Sequence, residues 1–395
     1  MLFPALFLLL GGGPLPAEPS SWVQLQREAA EDWSLVPDQA VPSRLHVVPR
    51  RPADRQAWRI LVLFTKGTEA YDTALSKMLT VFEDKRLPAV FSLQLLSPEE
   101  RARLPGAPLP FAPAQFHLVL AMGSDATSYA YVHLKDLATP VVSVCAKDPA
   151  LLLGLSPEDF IRLRPANMAF TSLDIPARAH FFYLEKLLGA PKIMALLYDQ
   201  EDTSTLRAQV IPLKEHASRE GVQVLEVRVD PDRAQEELER KLPAVVARMR
   251  GEGAGPVGRV LWVAGSSKVF KEIETISQLA EDIPVVSVAE KAIAEGGASA
   301  LMFIGVGFES NAYLAAMYAE DILKRGVEPG KQEVGVVSPP DIAINFRKAR
   351  QIGLRIPFEL LEAANTVYGY DGQLVRRQEG QLTGGKETAP SGVPR

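Results

Sequence analysis

The strongest constraint on the fold is a repeated alternation of short apolar runs and amphipathic segments. RILVLF (59–64), HLVLAMG (117–123) and PVVSVCA (140–146) are each followed by a polar stretch, two of them with helical spacing. Strands that are apolar on both faces and alternate with amphipathic helices are typical of parallel sheets covered by helices on each side. The pattern therefore predicts an α/β chain.

The alternation runs through the chain twice. A second round begins at KIMALLYD (192–199) and continues through RVLWVAG (259–265) and PVVSVAE (284–290). Two rounds of four or five strands exceed one domain, so we predict two doubly wound parallel-sheet lobes joined by a multi-crossover hinge. The similar sequences TPVVSVCAKD and IPVVSVAEK indicate either a duplicated half-unit or merely similar strand chemistry. The expected bounds are 58–172 with 299–328 for lobe 1, and 173–298 with 329–372 for lobe 2.

The two ends of the chain differ from this pattern. Residues 2–10 form an apolar run that is too short to span a bilayer and suits a secretory signal peptide, predicted as 1–17 with processing after Ala17, although no basic residue precedes Arg27. No cysteine follows the run, so a lipid anchor is not expected. Residues 18–57 are predicted as a polar N-terminal extension or linker, and 373–395 as a disordered tail. An exported, periplasmic protein is expected.

Composition argues against several classes of function. The 395 residues carry a net charge of −5, so no nucleic-acid partner is expected. Cys145 is the only cysteine and is predicted to be a buried structural residue. The five histidines are scattered and the common catalytic and metal-binding motifs are absent from the sequence, so neither an enzyme nor a cofactor or metal is predicted. No later segment is apolar enough for stable membrane insertion, and a monomer is expected.

The C-terminal third resembles a known family. ALMFIGVGFESNAYLAAMYAEDILKRG, followed by INFRKARQIGLRIP, is similar to the ABC transporter substrate-binding proteins related to tryptophan/tyrosine-binding proteins, and the matching residues are Asn345, Ala349, Ile352, Gly353, Leu354, Ile356 and Pro357. The resemblance implies the type I periplasmic binding protein fold, three connections between the lobes, a small-molecule ligand and an ABC permease as partner. In that fold, Asn345 is expected to bond backbone and Gly353 to end a helix.

Candidate ligand-binding residues follow from where the predicted strands end. Ligands of open α/β sheets bind beyond the carboxyl ends of the strands, close to helix N-termini. The hydroxyls after the first strands suit a carboxylate or another anion, although plain helix capping explains them equally well. The candidates are Thr65, Lys66, Ser124, Asp125, Thr127, Asp148, Ser172, Asp199, Ser266, Ser267, Glu290 and Phe308.

Three of these positions have specific alternatives. Ser266 and Ser267 occupy a loop in which the resemblance leads us to expect an acidic or amide residue, which leaves amino-acid binding open. Glu290 supplies either a compensating carboxylate or a surface charge. Phe308 lines an apolar wall or packs in the core. The leading hypothesis is an exported solute-binding protein for an ABC-type importer; the alternatives are a sensor or interaction module that binds no solute, and an enzyme on the same scaffold.

Overall fold

The computed structural model describes residues 22–51, 56–135, 137–251, 256–265, 267–293 and 297–377. These residues form two separate sheets, each covered by helices, and a two-stranded ribbon between them. The predicted α/β architecture with two parallel-dominated lobes is confirmed. The predicted signal peptide lies outside the described residues.

The first sheet has seven strands in the order β1-β2-β4-β3-β5-β6-β7. The five strands from β4 to β7 run parallel, whereas β1 and β2 add antiparallel strands at one edge. Their bounds are β1 Trp33–Pro37, β2 Arg44–Pro49, β3 Trp58–Phe64, β4 Ala89–Leu95, β5 Leu118–Met122, β6 Val141–Val144 and β7 Met168–Ala169.

The predicted N-terminal extension is part of this first lobe. Residues 33–37 and 44–49 extend the sheet, and Val23, Trp33 and Val47 are buried in the lobe's core. The prediction of a linker or surface extension for 18–57 is therefore corrected. Trp33 packs edge-on against Phe91 with ring centroids 5.5 Å apart, which fixes the added strands on the sheet.

The second sheet has eight strands in the order β10-β9-β11-β12-β13-β15-β16-β17. Strands β10 to β13 are parallel, β15 runs antiparallel to β13, and β17 antiparallel to β16. The ribbon pairs β8 with β14. The bounds are β8 Thr171–Ser172, β9 Ile193–Asp199, β10 Gln223–Val229, β11 Arg259–Val263, β12 Val285–Ser287, β13 Met302–Gly305, β14 Gly335–Val336, β15 Asp341–Asn345, β16 Thr366–Tyr368 and β17 Leu374–Arg377.

Two boundaries differ from those expected. The sequence assigned 299–328 to lobe 1, but β13 lies in the second sheet, where its backbone pairs with β12 and β15. The predicted disordered tail starts with β17, which pairs with β16; residues after 377 lie outside the described part of the chain. Both differences have one cause, since backbone pairing partners are not encoded in local apolar patterns.

The helices cover both faces of the two sheets. In α2, Thr68 caps the N-terminus, and Leu75, Met78 and Phe82 are fully buried, as the helical spacing predicts. The bounds are α1 Arg27–Asp32, α2 Glu69–Asp84, α3 Pro98–Arg101, α4 Ser124–His133, α5 Pro149–Leu152, α6 Pro157–Leu163, α7 Ala177–Leu188, α8 Thr203–Thr205, α9 Ile211–Arg219, α10 Ala234–Gly251, α11 Ser267–Phe270, α12 Ile273–Leu279, α13 Phe308–Arg325, α14 Phe346–Gln351 and α15 Phe358–Ala363.

A wide helical turn separates α8 from α9. Residues 206–210 adopt π-helical hydrogen bonding immediately before Pro212. Proline lacks the N–H that an α-helix uses at that position, and a wider turn accommodates the missing bond. The turn holds Gln209 opposite Gly265, a contact that becomes important in the cleft.

The chain passes between the lobes three times. It leaves the first lobe after β8, returns from β13 to α13, and leaves again through β14 to β15. Helix α13 packs against α2, and Ala312, Ala315 and Ala316 belong to the core of the first lobe. Small residues on this face allow the two helices to approach closely. The three connections expected from the resemblance are therefore present.

The closing segment packs as expected. The Asn345 side-chain oxygen accepts the Lys348 amide at 2.9 Å, so that it caps α14, and the Asn345 side-chain nitrogen donates to Ser299 Oγ at 2.9 Å. Gly353 follows the helix with a φ of 69°, a conformation that favours glycine. The segment ends the second lobe beside the hinge.

Candidate functional site

The loops at the carboxyl ends of the parallel strands of each lobe face those of the other lobe across a cleft. Lys147 after β6 contacts Asp202 after β9, and Lys291 after β12 contacts Glu69 after β3. Ligands of open parallel sheets bind at this edge. Any solute held between the lobes would meet these loops.

Lys147, in the loop after β6, reaches across the cleft to the second lobe. Its ammonium lies 2.8 Å from Ser204 Oγ and 3.4 Å from Asp202 Oδ2, and it also donates to Thr205 Oγ1. The side chain is only 14% exposed. Burial lowers the pKa of Lys147, and the neighbouring carboxylates of Asp202 and Asp174 oppose that shift.

Asp202 is charged in this environment. Burial opposes its ionisation, but the Lys147 ammonium and hydrogen bonds from Ser204 and Thr205 together lower the pKa of Asp202 below its ordinary value. An ion pair between two partly buried groups is less screened by solvent than a surface pair. The pair therefore ties the first lobe to the second.

A second bridge runs through the hinge. The Asp148 amide donates to Asp174 Oδ2 at 2.8 Å, and Gln209 Nε2 donates to Asp174 Oδ1 at 2.8 Å. Gln209 Oε1 in turn accepts the Gly265 amide at 2.8 Å. Burial raises the pKa of Asp174, while the bonds from Gln209 and Asp148 oppose the rise. The loops after β6 and β11 are thus joined by two side chains.

The N-terminus of α4 opens towards the cleft without a side-chain cap. Its N-cap is Gly123, and Ser124 Oγ instead accepts the Lys147 amide at 3.1 Å. Asp125 is exposed on the first turn, whereas Thr127 is fully buried and donates to the Gly123 carbonyl at 2.9 Å. An uncapped helix start carries a partial positive charge that favours an anion.

Tyr71 of α2 packs against this helix start. A Cβ built at Gly123 would lie 2.0 Å from the Tyr71 hydroxyl oxygen, so only glycine leaves room for the ring. Tyr71 is 9% exposed, and burial raises the pKa of its hydroxyl. No described residue forms a hydrogen bond with that hydroxyl. The ring therefore packs between the start of α4 and Phe308 of α13.

The Gly123→Ala variant is expected to lose about 2 kcal/mol of unfolding free energy, measured by urea denaturation. Gly123 has a φ of 86° and a ψ of 170°, a backbone region that is essentially restricted to glycine, and the added methyl would also displace Tyr71. Gly106→Ala is the matched control, since Gly106 has a φ of 84° but no atom lies within 4 Å of a Cβ placed there. Equal losses in the two variants would contradict the close approach of Tyr71.

The loop after β3 is partly covered by the N-terminal segment. A Cβ built at Gly67 would lie 2.0 Å from the Trp22 carbonyl oxygen, and the Trp22 ring packs on Phe64 with centroids 5.3 Å apart. Thr65 Oγ1 is buried and has no hydrogen-bond partner among the described residues, whereas Lys66 is exposed. The sequence patterns of this region do not predict that the N-terminal segment packs over this loop.

Three predicted site residues accept bonds from nearby backbone amides, and Asp148 thereby caps α5. Asp148 Oδ1 accepts the Leu151 amide at 3.1 Å, Ser172 Oγ accepts the Asp174 amide at 3.0 Å, and Asp199 Oδ1 accepts the Glu201 amide at 2.8 Å. Their role in ligand binding stays a prediction. Ser266 lies outside the described residues, and Ser267 begins α11 but its side chain is not described.

The last two candidates lie beside the second crossover. Phe308 begins α13 and packs on the first-lobe core, 6.1 Å from the Tyr71 ring. Glu290 accepts a hydrogen bond from Thr366 Oγ1 at 3.2 Å and lines a cavity of about 30 Å³ together with Asp341. Burial raises the pKa of both carboxyls. The cavity has room for little more than water.

Several residues that join the two lobes are absent from the sequence-based set. They are Lys147, Asp174, Asp202, Ser204, Thr205 and Gln209. Asp202 resembles an ordinary helix cap in the sequence, because Asp-Thr-Ser-Thr is a common helix start. No described group of side chains has the composition and spacing of a metal site, and none of the described helices is long and apolar enough to cross a membrane.

Comparison with known proteins gives structural matches only. No protein-family description and no curated protein sequence matches the chain significantly. Among solved structures, an open, ligand-free substrate-binding protein with adhesive properties from Clostridium difficile has a TM-score of 0.59 at 19% identity, covering 82% of this chain and 100% of that one. A conserved domain protein from Vibrio cholerae has a TM-score of 0.58 at 17% identity, covering 79% and 100%.

A third match is the ABC domain of Streptococcus pneumoniae in complex with L-Trp, with a TM-score of 0.56 at 16% identity, covering 78% of this chain and 99% of that one. The chain has the type I periplasmic binding protein fold. The fold resemblance inferred from the C-terminal third is thereby confirmed. In a type I periplasmic binding protein fold, the cleft described above is the space between the two lobes.

Proposed function

We propose that this protein is an exported solute-binding protein that captures a small organic ligand between its lobes. The observation that carries the proposal is that both lobes send polar side chains into the same cleft, with Lys147 from one and Asp202 from the other. The uncapped start of α4 adds backbone N–H groups to the first-lobe side. The fold is shared with substrate-binding proteins of ABC systems.

Binding is proposed to work by closure around the hinge. Rotation about the three crossovers brings the loops of both lobes onto the solute and removes water from it. The closed surface then presents both lobes to an ABC permease, and release follows reopening. Export through the segment 1–17 would place the protein in the periplasm, where such a permease is accessible.

A ligand screen by thermal shift is the direct test. A solute at 100 times its dissociation constant adds about 2.7 kcal/mol of stability, a readily measured rise in melting temperature. Amino acids, organic acids and small metabolites form the first library. A hit is expected to bind about tenfold more weakly to Ser124→Ala, because one hydrogen bond at the helix start is lost.

Ser218→Ala is the matched control for that variant. Ser218 is exposed on α9 and donates only to the Lys214 carbonyl at 3.0 Å, away from the cleft. We expect it to leave affinity unchanged. Equal affinities in both serine variants would remove the α4 loop from the site.

One observation favours a different function, a sensor or interaction module that binds no solute. The cleft groups of the two lobes bond directly to each other, so that the protein can close on its own side chains. Failure of the whole library, together with an unchanged radius of gyration in its presence, would support this alternative over solute capture.

A further inference from the structure

The oxygens around the Lys147 ammonium form a compact cup in the second lobe. We define the ammonium cup as Asp202, Ser204 and Thr205, all in the segment after β9. The Lys147 nitrogen contacts Ser204 Oγ at 2.8 Å, the two Asp202 oxygens at 3.4 and 3.5 Å, and Thr205 Oγ1. Three N–H donors thus meet one carboxylate and two hydroxyls.

The cup is held by the second lobe itself. Ser204 Oγ donates to Asp202 Oδ1 at 2.6 Å, and Thr205 Oγ1 lies 2.6 Å from Asp202 Oδ2. The Thr205 amide also donates to Asp202 Oδ1 at 2.8 Å, and the Thr205 side chain contacts the Gly265 carbonyl. Lys147 contributes none of these bonds, so the acceptor oxygens converge on the same point without it.

We propose that the ammonium cup is a binding site for a primary ammonium group and that Lys147 is its tethered occupant. The lysine ammonium shows which chemistry the cup accepts: a compact cation with three N–H donors. A quaternary ammonium has no such donors and cannot satisfy the hydroxyls. This inference rests on the proposed function and assigns its solute a primary amine, which must displace Lys147.

Because the Lys147 ammonium is attached to the same chain, a solute must bind strongly enough to displace it. A group held on the same chain acts at an effective concentration on the order of millimolar. A simple amine therefore competes poorly with Lys147 in the wild-type protein. A natural solute overcomes the lysine only by making further contacts elsewhere in the cleft. Lys147 consequently prevents small amines from binding in the ammonium cup.

Lys147→Ala in the full chain tests the cup directly. Truncation at Cβ removes three carbons and the ammonium, which is the skeleton of n-propylamine. We expect increasing n-propylammonium chloride, at constant ionic strength against NaCl, to raise the melting temperature of Lys147→Ala by about 2–4 °C at ten times the dissociation constant. The wild-type protein is expected to show no such rise, and tetramethylammonium to have no effect on the variant.

The Lys147→Ala/Asp202→Asn double variant is the matched control, since it keeps the space but loses the carboxylate. An absent response in Lys147→Ala, or an equal response in the double variant, overturns the proposal. If Lys147→Ala does not fold, NMR of the 15N-labelled wild-type protein tests the proposal through the resonances of its lysine ammonium groups. One protected ammonium is expected that disappears in Asp202→Asn, and its absence contradicts the proposal.

Different results would contradict the two proposals, solute capture between the lobes and the binding of a primary ammonium group in the ammonium cup. A screen hit that lacks an amine and binds wild-type protein would overturn the ammonium assignment and leave solute binding intact. A propylammonium response without any hit in the screen would support the cup and count against solute capture.

Discussion

Replacing Asn311 with leucine is expected to lower the free energy of unfolding by about 3–5 kcal/mol, the largest effect of any single substitution considered for this protein. Asn311 lies in the first turn of α13 and is fully buried. Its side-chain oxygen accepts the Cys145 amide at 2.7 Å, and its side-chain nitrogen donates to the Ser172 carbonyl at 3.0 Å. One side chain thereby joins β6, the first crossover and the second crossover.

The size of the effect follows from the groups left behind. Leucine has the same branched arrangement of heavy atoms but cannot hydrogen-bond, so a buried N–H and a buried carbonyl lose their partners, at about 1–3 kcal/mol each. Thr171 Oγ1, 2.9 Å from the Asn311 oxygen, loses a further contact. Cys145 depends on this bond in a second way, because its φ of 52° is unfavourable for a residue with a side chain.

Urea denaturation of the full chain measures the change, with Gln278→Leu as the control. Gln278 is exposed on α12 and makes only a 3.4 Å contact with Glu274, so its loss is expected to change stability by less than about 0.5 kcal/mol. A loss below about 1 kcal/mol in Asn311→Leu would show that the crossovers do not depend on this residue. Asn311→Asp keeps the acceptor but loses the donor and adds a buried charge, so it is expected to destabilise as well.

Asn311 also illustrates where sequence patterns stop being informative. The apolar alternation correctly placed RILVLF and KIMALLYD in strands β3 and β9, because burial on both faces of a parallel sheet leaves a continuous apolar run. The sequence ESNAY gives no sign that its asparagine bonds residues far away in the chain. Such a bond depends on the three-dimensional path of the crossovers.

The lobe assignment of β13 shows the same limit. Its apolar run predicts a strand correctly, but the sheet that receives the strand is decided by backbone pairing with β12 and β15. The N-terminal strands were missed for a different reason. In β1 only Trp33 is buried, and in β2 only Leu45 and Val47 are, so neither strand has the continuous apolar run by which the inner parallel strands were recognised.

Only part of the candidate site can be proposed from the sequence, and the reason is physical. Strand ends are visible in the sequence, and the rule that ligands bind there led to Ser124 and its neighbours. The residues that bond across the cleft come from different lobes, and no local sequence pattern predicts which of them meet. Lys147 and Asp202 are 55 positions apart and meet only because β6 and β9 end at facing edges. Contacts between lobes are therefore the part of the site that requires coordinates.

The second large expected effect is a loss of stability in mild acid that depends on His180. The ring lies in α7, is 8% exposed, and packs edge-on against Trp262 with centroids 4.6 Å apart. Its Nδ1 is buried and has no hydrogen-bond partner among the described residues. Burial lowers the pKa of His180 to about 3 from an ordinary value of 6.5, because a charged ring would be desolvated there.

The direction in which stability changes with pH follows from proton binding by His180 in the folded and unfolded states. The unfolded chain binds a proton at His180 near pH 6.5, whereas the folded protein does so only near pH 3. The contribution of a neutral buried ring is therefore fully present above the unfolded pKa and is lost as pH falls towards the folded pKa. The total loss from this group is about 4 kcal/mol between neutral pH and about pH 3.

His180→Phe is expected to remove this dependence, since phenylalanine keeps an aromatic ring against Trp262 and binds no proton. Urea denaturation of both proteins across mildly acidic pH should show the wild-type stability falling relative to the variant. The difference between the two curves isolates His180 from the buried carboxyls of Asp174, Glu290 and Asp341, whose raised pKa values act with the opposite sign in both proteins.

His117→Phe is the matched control, because His117 is exposed immediately before β5 and bonds only the Arg59 amide at 2.9 Å. This variant retains His180, so the fall in stability towards acid that depends on His180 is expected to persist in it. Parallel profiles for His180→Phe and wild type would mean that His180 takes up its proton in the folded state as readily as in the unfolded chain. That result would require water or a polar partner at the ring, and would contradict the dry packing of α7 on the second sheet.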